Sequence, residues 1–221
     1  MTSENEPLPS VVSPPTGDGF DAVNEGNASI IKGQKAKFSN AAVWFTGVDE
    51  VIKPTREFIP VEHKRFVQQW GTQEGAPPLS TRELAPEEFF PDVECMNEEA
   101  PKSEWREAFG RKVGPWERVH ALYLLEPATM AGFTYLTSTA GGFIAVRELQ
   151  EAINRARMLG DKHLYPVVTL GDAFMNTKFG GRQRPSFKIV RWVPIGRPAA
   201  KPAIAAVKAK ANADMDDNIP F

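Results

Sequence analysis

The stretch Gly142–Leu159 reads GFIAVRELQEAINRARML. Val146, Leu149, Ile153 and Ala156 recur at helical spacing, while Arg147, Glu148, Gln150, Glu151, Asn154, Arg155 and Arg157 fill the opposite face. This predicts an amphipathic helix, closed by Gly160 and Asp161. Outward from it the chain reads as strands, with Phe58–Trp70, Trp116–Leu125 and Phe133–Thr139 before the helix and Tyr165–Met175 and Ser186–Ile195 after it. Glu126–Gly132, containing Pro127, is expected to be a hairpin loop. A further strand is expected over Ala36–Thr46. The Pro- and acid-rich segment Gly71–Gly114 reads as a long inserted loop with a short helix around Ser103–Phe109.

Three strands, a helix and two strands is the element order of an OB-fold, so the expected fold is mainly β. It is an OB-fold-like barrel of five or six strands with its helix between strands three and four, and its binding surface lies on strands two and three with the adjoining loops. The expected domain spans residues 30–196. Its size is enough to bury about 70% of the unfolded chain's surface without disulfides or metals. Residues 1–29 hold four prolines, five acids and no base, a composition expected to stay disordered. Residues 197–213 hold eight alanines with Pro198 and Pro202 and read as a flexible basic linker, followed by an acidic tip at 214–221. No apolar run exceeds five residues, the length of Ala121–Leu125, and Glu4 and Glu6 stand where a signal peptide would need bases. A cytoplasmic protein with no membrane association is therefore expected. Lone Cys95 and three histidines (His63, His120, His163) give no metal-ligand spacing, and neither a metal nor a cofactor is expected.

The net charge of −2 conceals an asymmetry. From Ala173 to Ala213 there is no Asp or Glu, but nine bases, whereas residues 1–172 hold 17 bases against 25 acids. An acidic body is thus followed by a basic segment and an acidic tip, and blocks of this kind are interaction surfaces.

No phosphate loop, dinucleotide fingerprint or nucleophile elbow is present. Asp92 and Glu94 resemble a metal-dependent carboxylate pair, but the lysine such a motif needs two residues later is replaced by Met96. The basic segment has more texture, because Phe179 and Trp192 alternate with Lys178, Arg182, Arg184, Lys188 and Arg191, along with Phe174 and Phe187. Single-stranded nucleic acid needs both kinds of residue, cations for phosphates and flat rings for unpaired bases. Gly180–Pro185 is expected to be a glycine-hinged basic loop between the last two strands. Alternation then places Lys188 and Trp192 on one face and Phe187 and Ile189 on the other. On the middle strands, Phe133 and Tyr135, with Tyr123 on the strand before, form either a stacking platform or half a core layer.

The sequence ends Met215-Asp216-Asp217-Asn218-Ile219-Pro220-Phe221. This resembles the C-terminal tip of bacterial single-stranded-DNA-binding proteins, where acids precede Ile-Pro-Phe, with Asn218 standing where the family usually has another Asp. The resemblance covers about seven residues. It implies that Asp216, Asp217, Ile219, Pro220 and Phe221 dock on replication, recombination or repair enzymes, the ring filling a pocket and a base capturing the carboxylate. Met175–Gly180 is similar to proteins of phage and prophage replication or recombination regions. The expected function is non-enzymatic: binding of single-stranded DNA, recruitment of partner enzymes through the tip, and a possible homo-oligomer. The alternatives are a recombination or nuclease accessory enzyme built on Asp92 and Glu94, and an adaptor that makes no DNA contact.

Overall fold

Period-two alternation organises most of the chain. The structure, a computed structural model, describes residues 30–108, 110–160, 164–177 and 180–194. Its strands are β1 (Gln34–Phe38), β2 (Trp44–Thr46), β3 (Glu57–Gln69), β4 (Ser80–Leu84), β5 (Arg106–Ala108), β6 (Arg111–Val113), β7 (Trp116–Glu126), β8 (Ala131–Thr137), β9 (Leu164–Thr177) and β10 (Gly180–Pro194). The helices are α1 (Val93–Glu99) and α2 (Ala140–Leu159). Eight strands form one curled, half-barrel sheet in the order β10-β9-β3-β7-β8-β1-β2, with β4 paired to the second half of β3. Strands β5 and β6 form a separate hairpin.

Counted along the chain, β3, β7, β8 and β9 lie side by side as 4-1-2-3, the Greek-key order. Helix α2 makes the long return connection. It buries Val146 and Leu149 in a core shared with Phe58, Leu124, Phe133 and Val168, and each such fully buried side chain contributes about 1.5–3 kcal/mol. The two ends of the sheet meet through Trp44, whose indole N–H donates to the Gly171 carbonyl at 2.8 Å and whose ring centre lies 5.7 Å from that of Phe187. At one end of the core Arg56 binds Glu126 with two hydrogen bonds, its guanidinium 4.9 Å from the Phe133 ring centre. The neighbouring cation holds the Glu126 carboxyl below its ordinary range.

The opposite face of β3, β7 and β8 is also covered. Phe66, Val119, Ala121 and Tyr123 cluster there with Ile30. The Tyr123 hydroxyl donates to the Ile30 carbonyl at 2.8 Å, and the Thr134 hydroxyl donates to the Lys32 carbonyl at 2.6 Å while accepting from the Lys32 amide. Gly33 completes this strap at φ 72°. A Cβ there would stand 2.1 Å from the Gly132 carbonyl oxygen, so only glycine fits.

Several expectations are corrected. The segment's α-helix lies at Val93–Glu99, where the Asp92 carboxylate caps it by accepting from the Glu94 and Cys95 amides. Of the expected helix around Ser103–Phe109 only a single 3-10 turn, Lys102–Glu104, is present, at its start. Arg106–Ala108 is instead a strand of the hairpin that turns at Gly110 (φ 71°). Ala36–Thr46 is two strands with a turn between them, where Ala42 takes φ 60°. Gly180–Pro185 is the first part of β10, laddered to β9 from Gly180–Thr177 through Pro185–Asp172, and not a loop. Segment 71–114 is partly a sheet component, since β4 extends β3. The described residues thus give ten strands where five or six were expected. Among them, no helix is long and apolar enough to cross a membrane.

Candidate functional site

In β1 the sequence Gln34-Lys35-Ala36-Lys37-Phe38 sends Ala36 into the core at 3% exposure and leaves Lys35 and Lys37 in solvent. Facing them across a cleft of about 480 Å³ is the start of β10, which carries Arg182 and Arg184. The turn from β8 into α2 forms the floor. There the Thr139 hydroxyl accepts from the Gly142 amide at 3.1 Å, capping the helix, and the Thr137 and Thr139 hydroxyls are 3.1 Å apart. Close approach fixes both glycines of the turn. A Cβ on Gly142 would fall 1.9 Å from the Thr137 hydroxyl oxygen, and one on Gly141 would fall 2.9 Å from the Arg184 Cβ.

The electrostatics of this cleft are one-sided. Four cations line it and no carboxylate does, although the whole chain carries more acids than bases. The first turn of α2 also carries no acid, leaving the positive end of the helix dipole uncompensated there. The cations differ in availability. Arg184 is bidentate to Glu148 of α2 at 2.7 and 3.0 Å, with its side chain only 12% exposed. Lys37 has a looser contact with exposed Asp49 at 3.4 Å. Arg182 is exposed and has no ion pair among the described residues.

The expected groove residues divide sharply. Phe133 and Tyr135 are 1% and 3% exposed, so of the two readings the core layer is the one found. Burial pushes the Tyr135 hydroxyl up to about 12. Tyr123, 4% exposed, lies on the strapped face with the Lys32 ammonium 4.6 Å from its ring centre. None of the three offers a ring face for stacking. Arg191 makes two hydrogen bonds to Glu57, which raise its own pKa and lower that of Glu57. Lys188 is exposed. Trp192 does not share its face, because a register shift between Ile189 and Arg191 leaves Val190 unpaired. That bulge moves Trp192 to the side of Phe187 and Ile189 and puts Arg191 with Lys188. Lys178, Phe179 and the tip residues Asp216, Asp217, Ile219, Pro220 and Phe221 lie outside the described residues.

Of the two alternative carboxylates, Asp92 is engaged as the side-chain cap of α1, and Glu94 lies exposed in the first turn of that helix. Among the described residues no group of three His, Cys, Asp or Glu side chains is placed to hold a metal ion. His63 and His120 form a pair, the ring nitrogens Nε2 and Nδ1 standing 2.8 Å apart, while Gln150 of α2 bonds the far nitrogen of His63 at 2.6 Å. Burial, with Phe90 and Phe143 packed on His120, lowers the pKa of both rings to about 4, helped by the neighbouring His63 ring at His120 and by Arg65 at both. His163 lies outside the described residues.

Sequence reasoning missed Lys35 and Lys37. Their signal was the polar-apolar alternation of residues 34–38, legible as a strand with both lysines outward, but nothing local indicated that this strand would face β10. The chain matches no family model, no curated protein and no solved structure.

Proposed function

We propose that this protein binds single-stranded DNA, with the phosphate path running through the cleft between β1 and the start of β10. The carrying observation is that cleft: four cations on facing walls and no carboxylate, in an otherwise acidic chain. A polyanion is the ligand such a lining selects, because each neutralised phosphate releases condensed counterions. Three features favour an unpaired strand and an OB-type barrel as its platform. The Greek-key order, the helix inserted before the fourth of its strands and the long β9–β10 hairpin correspond to an OB barrel with an extended loop between its last two strands. In this reading β1 and β2 are additions on the far side of β8. The strap over Tyr123 moves binding from the face of β7 and β8 to the cleft. Residues Asp214–Phe221 recruit partner enzymes, as the resemblance of the tip implies.

The test is titration of poly(dT) at several salt concentrations. Four phosphate contacts give a log–log slope near −3, at about −0.7 each. Arg182→Ala with Arg184→Ala makes the slope shallower by up to about 1.4, and Lys35→Ala with Lys37→Ala does the same from the opposite wall. Duplex DNA binds far more weakly. An unchanged slope in both double variants places the strand elsewhere, and equal affinity for duplex removes the single-strand reading. For the tip, Phe221→Ala costs about 2 kcal/mol in affinity for a replication or repair enzyme. A peptide of Asp214–Phe221 that binds no such enzyme refutes recruitment.

A further inference from the structure

Beyond the barrel rim the β9–β10 ribbon carries an aromatic ring in an unusual setting. Phe174 is 63% exposed. It continues the row Val168, Leu170 and Asp172, in which the first two are buried against the core and the third is already in solvent. Its ring is not loose. A Cβ on Gly181, diagonally across the ladder, would stand 2.4 and 2.5 Å from two of its ring carbons, so the ring occupies space that only a glycine leaves free. A glycine inside a strand weakens it and marks a close approach, and here the approaching group is the ring itself. The ring meets the glycine's position with its far edge, and Asn176 and Gln183 flank it on the same face of the ribbon. The adjacent pair in the ladder is Met175 with Arg182, pointing to the other face of the ribbon. Among the described residues the other strongly exposed aromatic ring, Phe89 at 87%, sits beside Glu87 and Glu88, where phosphates are repelled.

We infer that Phe174, seated on Gly181, is a stacking platform for an unpaired nucleobase, the ligand class being a single-stranded oligonucleotide. This rests on the single-strand reading of the cleft. The ribbon is two strands wide and β10 is the free edge of the sheet. A strand whose phosphate contacts Arg182 therefore has only that edge to cross before a base meets the ring. The bases are read by their flat faces, with Asn176 and Gln183 as polar neighbours, so the platform tolerates any base.

Packing a ring on a strand glycine also stabilises a hairpin by itself, and the test separates the two roles. Affinity is measured for an oligo(dT) and for an abasic oligomer of equal length, which keeps the phosphates and lacks the bases. Phe174→Ala is expected to lower oligo(dT) affinity about 5- to 100-fold and to leave abasic affinity unchanged. Phe174→Trp retains binding, and its added fluorescence is quenched by oligo(dT) but not by the abasic oligomer. Gly181→Ala, which displaces the ring, loses the same base-dependent part, and the double variant with Phe174→Ala loses no more. Equal loss for both oligomers, or no loss for either, overturns the platform while leaving the cleft standing, provided that Arg182→Ala still weakens binding. If the wild-type protein binds neither oligomer, the single-strand reading fails as well.

Discussion

Strands β7–β8 and the outer half of β9–β10 are both antiparallel pairs bearing aromatic rings, yet they end in opposite states. In β7–β8 both faces are covered, one by the core that holds Phe133 and Tyr135, the other by the Ile30–Gly33 strap that holds Tyr123. In the ribbon, Phe174 and Gln183 on one face and Arg182 on the other are all exposed. Alternation assigns residues to faces equally well in both, but it does not say what lies against a face. Rings on a covered pair contribute stability, whereas a ring on an open pair is available to a ligand.

The sharpest break of this comparison is truncation of rings on the two sides. Phe133→Ala is expected to cost about 3–5 kcal/mol in denaturant unfolding, against about 0.5 kcal/mol or less for Phe174→Ala. Similar costs would show that the ribbon ring is structural. The second test uses pH. The native state keeps His63 and His120 neutral down to about pH 4, whereas unfolded histidine titrates near 6.5. Between those values the unfolded state binds more protons, so stability is full above about pH 6.5 and is lost as pH falls toward 4. With partial exposure discounted, the loss is on the order of 2 kcal/mol. A protonated pair would set N–H against N–H across the 2.8 Å contact. His63→Gln should flatten the melting temperature against pH in this window, and an unchanged profile would show that the pair does not titrate in folding. The smallest effect concerns the strap. Tyr123→Phe removes the donor to Ile30 and costs about 1 kcal/mol, with no change in salt slope if the strapped face takes no part in binding.

The helix was legible in full, because residues 142–159 carry an unbroken apolar stripe and the structure extends it only to Ala140. The five main strands were legible for the same kind of reason. The segment 71–114 was not, because its elements depend on distant partners: Arg82 needs Val67 opposite it, and Asn97 bonds both backbone groups of Trp116. Within the site, Arg182 and Arg184 were visible as charges and Lys35 and Lys37 were not, since their relevance comes from β1 lying beside β8, almost a hundred residues away. Trp192 was misplaced by a one-residue bulge at Val190 that no local pattern announces.

The pairing of β1 with β8 has a consequence for how the chain is made. The Lys32 amide bonds the side chain of Thr134, 102 positions later, and Gln34–Ala36 run parallel to Phe133–Tyr135. During synthesis at about 5–20 residues per second, β1 leaves the ribosome on the order of 5–20 s before its partner exists. In that interval β1 has β2 on one edge but nothing on the other. An open edge is a hazard for association with other nascent chains, and lysines are the usual guard against it. Lys35 and Lys37 stand in that strand, so the two charges that line the finished cleft also protect the unfinished protein from its neighbours.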